Sequence, residues 1–195
     1  RPADDANEPS GAGGLYLQGT HVTMTSTTIA GNKARGAAGL WVLGHGPGAS
    51  GKVDLTNVTI ANNETYPRPD FTKRGIPGGL IIGDDTTGTL RNCTIVGNKA
   101  QFASGIGRAS PLEINNTIIS NVAENQYAPL NCTGSAFANP PGKGDHSVQW
   151  PNGLKDDMDC VAGIERVDPK MGVLADNGGA VRTIAPLAGS PVLGK

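Results

Sequence analysis

The chain has 195 residues, of which 29 are glycine and only 4% are aromatic, and its formal net charge is −1. This length fits one domain with a hydrophobic core, but the scarcity of large side chains requires a narrow core of valine, isoleucine, leucine and alanine. The near-neutral charge without a basic stripe argues against nucleic acid as a partner. No run of about 20 apolar residues occurs, so the sequence predicts no transmembrane segment.

A five-residue motif recurs four times along the chain. Each copy has a β-branched pair, two mostly small residues and an asparagine, and it is preceded by a small residue and an aliphatic one. Self-similarity of this kind is the signature of a solenoid, in which each unit buries its apolar face against the next. The copies are Thr28-Ile29-Ala30-Gly31-Asn32, Thr59-Ile60-Ala61-Asn62-Asn63, Thr94-Ile95-Val96-Gly97-Asn98 and Thr117-Ile118-Ile119-Ser120-Asn121, and the preceding anchors are Gly14-Leu15, Gly39-Leu40, Gly79-Leu80 and Gly105-Ile106.

In chain order, the sequence predicts an irregular lead-in over residues 1–12 and the coils of the solenoid over residues 13–125. Apolar residues alternate with polar ones, as in Leu15/Leu17 and Val22/Met24, which indicates short β-strands. The isoleucines of the motif stand at positions 29, 60, 95 and 118, so the repeat length varies. Loops at the corners of a strand coil tolerate this variation, whereas packed helix pairs do not. We therefore predict an all-β fold, a right-handed parallel β-helix of about four coils.

The repeated asparagines have a structural role in such a fold. Asn32, Asn63, Asn98 and Asn121 end equivalent strands at a bend, where asparagine tolerates left-handed backbone angles. Amides that stack in register also hydrogen-bond from one coil to the next. The sequence therefore predicts a turn ladder of these four asparagines.

The repeat is lost from residue 126 onward. Residues 126–195 are predicted to form a disulfide-containing excursion and a cap on the open end of the solenoid. Cys132 and Cys160 flank an irregular stretch rich in glycine and proline, and we predict a disulfide between them worth roughly 3–4 kcal/mol. Cys93 lies inside a repeat and is predicted to be a small buried residue. A disulfide favours an extracellular compartment.

Several runs near the end of the chain resemble one known ending. They are Asn116 through Asn121, Asn131-Cys132-Thr133-Gly134, Asp168-Pro169, Leu174 through Gly179 and Gly189-Ser190-Pro191. Together they resemble the C-terminal region of the bacterial choice-of-anchor Q proteins, over roughly residues 13–193. Those are surface or secreted parallel β-helix proteins, related in architecture to pectate lyases. The resemblance therefore implies a secreted or cell-surface location, but it implies no reaction.

Two tripeptides resemble signatures of polygalacturonases, which use three aspartates and a histidine. Gly83-Asp84-Asp85 follows Gly44-His45-Gly46, the reverse of that family's order, and its Asn-Thr-Asp and Arg-Ile-Lys elements are missing. Lyase chemistry would need an arginine or lysine base beside calcium-binding carboxylates on one face. The repeat aligns Asp54 with Thr23 and Arg91, so no column of carboxylates is predicted and no catalytic residue is assigned.

Asp156, Asp157 and Asp159 form the one calcium-binding candidate, since three carboxylates lie close together in sequence. They lack an ordered spacing of ligands, and a solvated acidic turn is the simpler interpretation. The histidines are scattered without the spacing of zinc ligands. We therefore predict no cofactor, with calcium as the open alternative.

Tyr16 and Trp41 each follow a Gly-Leu anchor by one residue, so we expect them to stack on one outer face, followed by Ile81 and Gly107. Exposed aromatic rings can bind sugars, although surface packing or a protein contact would also explain them. The leading hypothesis is a non-catalytic secreted or cell-surface protein with a structural, adhesive or assembly role, whose partners are extracellular or envelope proteins or a polysaccharide. The alternatives are a polysaccharide lyase or hydrolase, and a carbohydrate-binding module.

Overall fold

The computed structural model describes residues 11–19, 21–44, 51–66, 77–83, 86–108, 112–121, 130–138, 140, 146–152 and 156–194. These residues form β-strands and one short 3₁₀ helix, Ser135–Ala138. The strands are β1 Leu15–Gln18, β2 His21–Ala30, β3 Lys33–Ala34, β4 Leu40–Leu43, β5 Gly51–Ala61, β6 Glu64–Thr65, β7 Leu80–Ile82, β8 Thr86–Arg91, β9 Thr94–Val96, β10 Ile106–Arg108, β11 Leu112–Asn115, β12 Ile118–Ser120, β13 Cys132–Thr133, β14 Val148–Trp150, β15 Met171–Ala175 and β16 Thr183–Pro186.

Two parallel sheets run along the solenoid. Sheet A has the order β1-β4-β7-β10-β13, one strand from each coil. Sheet B contains β2, β5, β8 and β11 beside β9, β12 and β14, again in parallel register. The short strands β3 and β6 pair in parallel along a third side. The predicted all-β parallel β-helix is confirmed.

Sheet B bends at a sharp corner that every coil repeats. The long strands β2 and β5 pass through this corner, whereas later coils break there into two strands, β8 with β9 and β11 with β12. The corner residues have left-handed backbone angles, which asparagine adopts at low cost. In the first four coils they are Ser26 (φ 45°), Asn57 (φ 56°), Asn92 (φ 54°) and Asn116 (φ 47°), and in the fifth His146 (φ 57°).

We expected left-handed angles at the ladder asparagines themselves, and this was wrong. Asn32, Asn63, Asn98 and Asn121 do not have a positive φ. The residue before the asparagine takes the left-handed angle in three coils, at Gly31 (φ 70°), Asn62 (φ 55°) and Gly97 (φ 70°). The preceding residue thus makes the turn, and the ladder asparagine is left to point its side chain into the coil.

The glycine anchors are explained by the asparagines. A Cβ atom built on Gly39 would lie 2.3 Å from the carbonyl oxygen of Gly79 and 3.2 Å from Nδ2 of Asn63. The anchors of the other coils, including Gly105 beside Asn121, meet the same two obstacles. The glycine and the asparagine of one coil are therefore spatial neighbours, and the close approach of backbone to amide excludes a side chain at the anchor.

The core is a stack of aliphatic side chains between the two sheets. Leu40, Leu80 and Ile106 align in sheet A, and all three have no exposed surface. In sheet B, the motif isoleucines Ile60 and Ile95 are paired and buried. The expected narrow core without large aromatic side chains is present in these coils.

The fourth coil differs from the sequence alignment by one residue. The motif aligned Ile118 with Ile95, whereas the strands pair Ile119 with Ile95, and Ile119 is the fully buried residue. This coil has one residue fewer at the corner where Gly97 stands, so Asn121 directly follows β12. Asn121 keeps its place in the row of asparagines, but the residues of β12 are shifted by one position relative to the motif. The shift exchanges which side chains of β12 point inward and which point outward.

The segment expected to be an excursion instead continues the solenoid in part. Strand β13 pairs with β10 in sheet A, and β14 pairs with β12 in sheet B. The predicted disulfide between Cys132 and Cys160 is present, with an S–S distance of 2.05 Å. It links β13 to the turn at the end of this fifth coil, whose buried residues include Phe137 and Val161.

The last strands do not form the end cap that we expected. Strands β15 and β16 pair in an antiparallel hairpin that lies along the outer face of sheet B. Thr28 Oγ1, in the first described coil, donates a hydrogen bond to the carbonyl oxygen of Arg182. Ile184 is only 6% exposed, since its side chain is covered on this face. The tail therefore covers a side of the solenoid.

Candidate functional site

The ladder asparagines form a continuous column of side-chain amides. In each step, Oδ1 of one asparagine accepts hydrogen bonds from both Nδ2 and the backbone N–H of the asparagine in the preceding coil. The column has a fifth member, Asn131, which the repeat did not reveal. The Nδ2–Oδ1 distances are 2.9 Å from Asn32 to Asn63, 2.9 Å from Asn63 to Asn98, 3.0 Å from Asn98 to Asn121 and 3.1 Å from Asn121 to Asn131.

Asn131 had a signal in the sequence, although it carries no Thr-Ile motif. Asn131-Cys132 matches the anchor Gly105-Ile106, because Cys132 pairs with Ile106 in sheet A. The last coil thus has asparagine where the others have glycine. Its side chain enters the column from the opposite side of the corner and completes the ladder.

The column ends on a buried carboxylate. Asp157 Oδ1 accepts the backbone N–H of Asn131 at 2.7 Å, and its Oδ2 accepts Nε2 of the fully buried Gln149 at 2.8 Å. Arg166 donates to Asp157 Oδ2 at 2.9 Å and to Asp159 Oδ1 at 2.8 Å. Burial disfavours the charged guanidinium, but the hydrogen bonds of Asp157 and Asp159 hold the pKa of Arg166 above its ordinary value.

These contacts separate Asp156 from the other two aspartates of the candidate calcium site. Asp157 and Asp159 share Arg166 as a cationic partner, while Asp156 is exposed in a turn with φ 67°. No group of three metal-ligating side chains occurs among the residues that the structure describes. The arginine supplies the positive charge next to Asp157 and Asp159, and sequence reasoning missed it.

Tyr16 and Trp41 meet on the outer face of sheet A. They are paired in register, as are Trp41 with Ile81 and Ile81 with Gly107, in the order expected from the anchors. The two rings lie 5.5 Å apart between centroids at 85°, an edge-to-face contact, and Tyr16 is 48% exposed. Pro77 covers Gly107, because a Cβ on that glycine would lie 2.3 Å from its ring. The apolar column is open only at its Tyr16 end within the described coils.

The outer face of sheet B carries a charged cluster around Asp54. Lys52 Nζ lies 2.8 Å and His21 Nε2 lies 2.9 Å from Asp54 Oδ2. The hydrogen bond from Lys52 holds the pKa of Asp54 below its ordinary value, against the desolvation that burial causes, and His21 and Thr89 act in the same direction as Lys52. The carboxylate therefore stays ionised and bound to neighbouring side chains.

The register of this face corrects our alignment of Asp54. It pairs Asp54 with Thr23 and Thr89, not with Arg91. The column continues from Thr89 to Glu113, so the two carboxylates, Asp54 and Glu113, are separated by one intervening threonine.

Asp84, Asp85 and His45 of the polygalacturonase-like tripeptides lie outside the described residues.

Cys93 is a buried thiol, only 3% exposed. Desolvation raises its pKa to about 11, and its Sγ contacts the carbonyl oxygen of Arg91 at 3.3 Å. A thiol in this state is protonated at neutral pH and does not act as a nucleophile.

In the part of the chain that the structure describes, no helix has the length and apolar character needed to cross a membrane. No curated protein and no solved structure matches the chain. The family model described as "Right handed beta helix region" matches residues 7–149, which include sheets A and B up to β14. The chain therefore belongs to the right-handed β-helix family.

Proposed function

We propose that this β-helix is a non-catalytic component of a secreted or cell-surface protein, with a structural, adhesive or assembly role. The observation that carries the proposal is the pairing of three carboxylates among the described residues. Asp54 is held by Lys52, and Asp157 and Asp159 are held by Arg166. A general acid or base needs a carboxyl group whose pKa lies near the working pH, whereas the pKa of Asp54 is shifted away from that range.

The disulfide and the ladder support an extracellular scaffold. Disulfides persist in oxidising compartments, and that between Cys132 and Cys160 fastens the last coil. The column of buried amides fixes each coil against the next at the strand spacing of roughly 4.8 Å. A rigid surface of this kind suits extracellular or envelope proteins, or a polysaccharide, as partners.

A turnover screen tests the non-catalytic role. The protein is incubated with acidic and neutral polysaccharides, with and without calcium, and new unsaturated or reducing ends are followed. We expect no turnover above a heat-denatured control. Sustained cleavage would overturn the proposal in favour of a lyase or hydrolase, and Arg91→Ala compared with Arg35→Ala would then show whether Arg91 contributes.

Calcium dependence has its own test, because Arg166 already faces Asp157 and Asp159. We propose that the fold needs no calcium, so that the melting temperature is the same in excess EDTA and in excess calcium chloride. A rise in melting temperature with calcium that EDTA reverses would establish a cation site. Asp156→Asn would then show whether the exposed aspartate belongs to it.

A carbohydrate-binding module is the second candidate, favoured by the exposed Tyr16 ring beside Trp41. Because the rings are perpendicular, they do not form one flat platform, and a sugar would stack on a single ring. Glycan-array binding of wild type is compared with that of the Tyr16→Ala, Trp41→Ala double variant. Equal signals would eliminate this surface as a glycan site, and loss in the double variant with an unchanged fold would support it.

A further inference from the structure

A cleft of about 410 Å³ lies between sheet B and the C-terminal hairpin. Its size falls in the range of small-molecule sites, roughly 300–1,000 Å³. It uses none of the residues of the aromatic pair or of the Asp54 cluster. Its lining includes Asn62, Ser120, Trp150, Asp168, Met171 and Leu174.

The floor of the cleft is an outward column of sheet B. Val96, Ser120 and Trp150 follow one another in register in successive coils. The Trp150 side chain is half-buried, while its carbonyl oxygen accepts Nδ2 of Asn131 at 2.8 Å, so the amide ladder fixes the backbone beneath the indole. The floor is therefore rigid and presents one aromatic ring.

The opposite wall is the hairpin, whose flanking segments are joined to each other. Met171 to Leu174 of β15 line the cleft together with Ile184 of β16. Ile184 is buried, and Ser190 Oγ donates to the carbonyl oxygen of Pro169 at 2.6 Å. In the folded chain the hairpin thus lies over the sheet, and the cleft is formed between them by residues of this chain.

The polar groups of the cleft are an amide, a hydroxyl and a carboxylate. Asn62 is exposed at its edge. Asp168 is exposed, and its Oδ1 accepts the backbone N–H of Lys170 at 2.8 Å, which orients the carboxylate. No lysine, arginine or histidine occurs among the described lining residues. The charge of this lining disfavours anions such as uronates or phosphates.

We propose that this cleft binds a neutral saccharide, with one sugar ring against the Trp150 indole and its hydroxyl groups on Asp168 and Asn62. Aromatic rings contact the apolar face of a sugar, while carboxylate and amide groups accept and exchange hydrogen bonds with hydroxyls. The inference deepens the adhesive role proposed above and rests on it. It assigns the contact to the hairpin side of the molecule.

The two tryptophans of the chain allow a direct test. Trp41→Phe leaves Trp150 as the sole indole reporter, and Trp150→Phe leaves only Trp41 beside Tyr16. Each protein is titrated with maltotriose, cellotriose and triacetylchitotriose, with trigalacturonate as the anionic comparison, and indole emission is followed. We expect a saturable change for at least one neutral sugar in the Trp150 reporter protein, and none in the Trp41 reporter protein.

Asp168→Asn provides the second variant, because asparagine keeps Oδ1 for the backbone of Lys170 while it removes the charge. We expect its affinity for the responding sugar to fall about tenfold, in line with the loss of a charge-assisted hydrogen bond. Glu113→Gln is the matched control, since Glu113 is exposed on β11 outside the cleft, and its affinity should equal that of wild type.

Three results would overturn the inference. They are a silent Trp150 reporter with every neutral sugar, binding of trigalacturonate as tight as that of the neutral sugars, and a response in the Trp41 reporter alone. The last result would move the contact to the Tyr16 face. None of them would restore an enzymatic role, which the turnover screen decides by itself.

Discussion

The amides of Asn63, Asn98, Asn121 and Asn131 each accept hydrogen bonds at Oδ1 and donate them at Nδ2. Asn98, which is fully buried, accepts two hydrogen bonds at Oδ1 from Asn63, and its Nδ2 donates to the carbonyl oxygen of Ile60 and to Asn121. An asparagine on an exposed corner would exchange these partners with water at little cost. Inside the coil, no water is within reach, so the identity of the side chain matters.

Asn98→Ala tests this at the residue scale. The change leaves two N–H groups of Asn63 without their acceptor in a buried place and removes one hydrogen bond to the carbonyl oxygen of Ile60, and we expect the free energy of unfolding to fall by about 3–5 kcal/mol. Urea unfolding measures the loss. Asn92→Gly is the control, because Asn92 is exposed and glycine adopts its φ of 54°. Equal effects of the two changes would contradict a special role for the ladder.

Asp54 gives a prediction on pH. Its pKa is lower in the folded protein than in the unfolded chain, so the stability it contributes is present above pH about 4 and is lost as the pH falls through the folded pKa. Lys52→Met removes the hydrogen bond that lowers the pKa of Asp54 most. We expect the Asp54 pKa, measured by carboxyl-carbon NMR, to rise toward its ordinary value. The two proteins should then differ in stability by about 0.5 kcal/mol at pH 7 and converge at acid pH. A persistent difference there would show that Lys52 acts by packing.

At the scale of elements, the hairpin is an attached part of the solenoid surface. It adds no strand to sheets A or B, since β15 and β16 pair only with each other. Its attachment relies on Ile184, which is buried, whereas Val173 on the adjacent strand is 80% exposed. The hairpin should therefore open without unfolding the coils.

Ile184→Ala should increase that opening. Removal of the buried side-chain atoms costs about 2–4 kcal/mol of local stability, so amide exchange in residues 171–186 should accelerate while the amides of Ile60 and Ile95 keep their protection. Val173→Ala, at an exposed position of the same hairpin, should leave exchange unchanged. Faster exchange throughout the chain would mean that the hairpin and the coils unfold together.

The coils could be predicted because their signals are local and repeated. A glycine anchor and an asparagine mark each coil, and these two residues contact each other in the fold.

The alignment of Asp54 failed because Gly88 pairs with Val53. Gly88 lies inside β8 and has no side chain where the earlier coil has the buried Val53, so the apolar pattern of β8 starts at Leu90, two positions late. Counting back from Ile95 would have given the observed partner, Thr89.

The candidate sites were less predictable for a different reason. Tyr16 and Trp41 follow the repeat, so their alignment could be read from it. The cleft and Arg166 depend on the tail, where no repeat sets the register, and the placement of a hairpin on a sheet is a tertiary contact. Trp150 and Asp168 are 18 positions apart in sequence and line the same cleft because Glu165 pairs beside β14, which brings the segment before the hairpin next to the coil.

At the scale of the whole molecule, the disulfide holds the last coil to the turn that ends the amide ladder. Its cysteines are 28 positions apart. For the double variant Cys132→Ser, Cys160→Ser, we expect the free energy of unfolding to fall by roughly 3–4 kcal/mol, because the unfolded chain regains the freedom of that loop. Unfolding in urea without reductant measures the change, and Cys93→Ser serves as the control for loss of a thiol. An effect no larger than that of the control would show that the hydrogen bonds of Asp157 hold this end unaided.

The carboxylate beside Asn131 also ends the row of amides on this side. An amide accepts on one side and donates on the other, so a row of amides has a direction and offers the same chemistry to every new member. Asp157 has only acceptors, and it faces the N–H groups of Asn131 and Cys132, the amide of Gln149 and the guanidinium of Arg166. A further coil would find no donor there. The amide ladder therefore stops at one change of functional group, in the way that a monofunctional monomer ends a growing polymer.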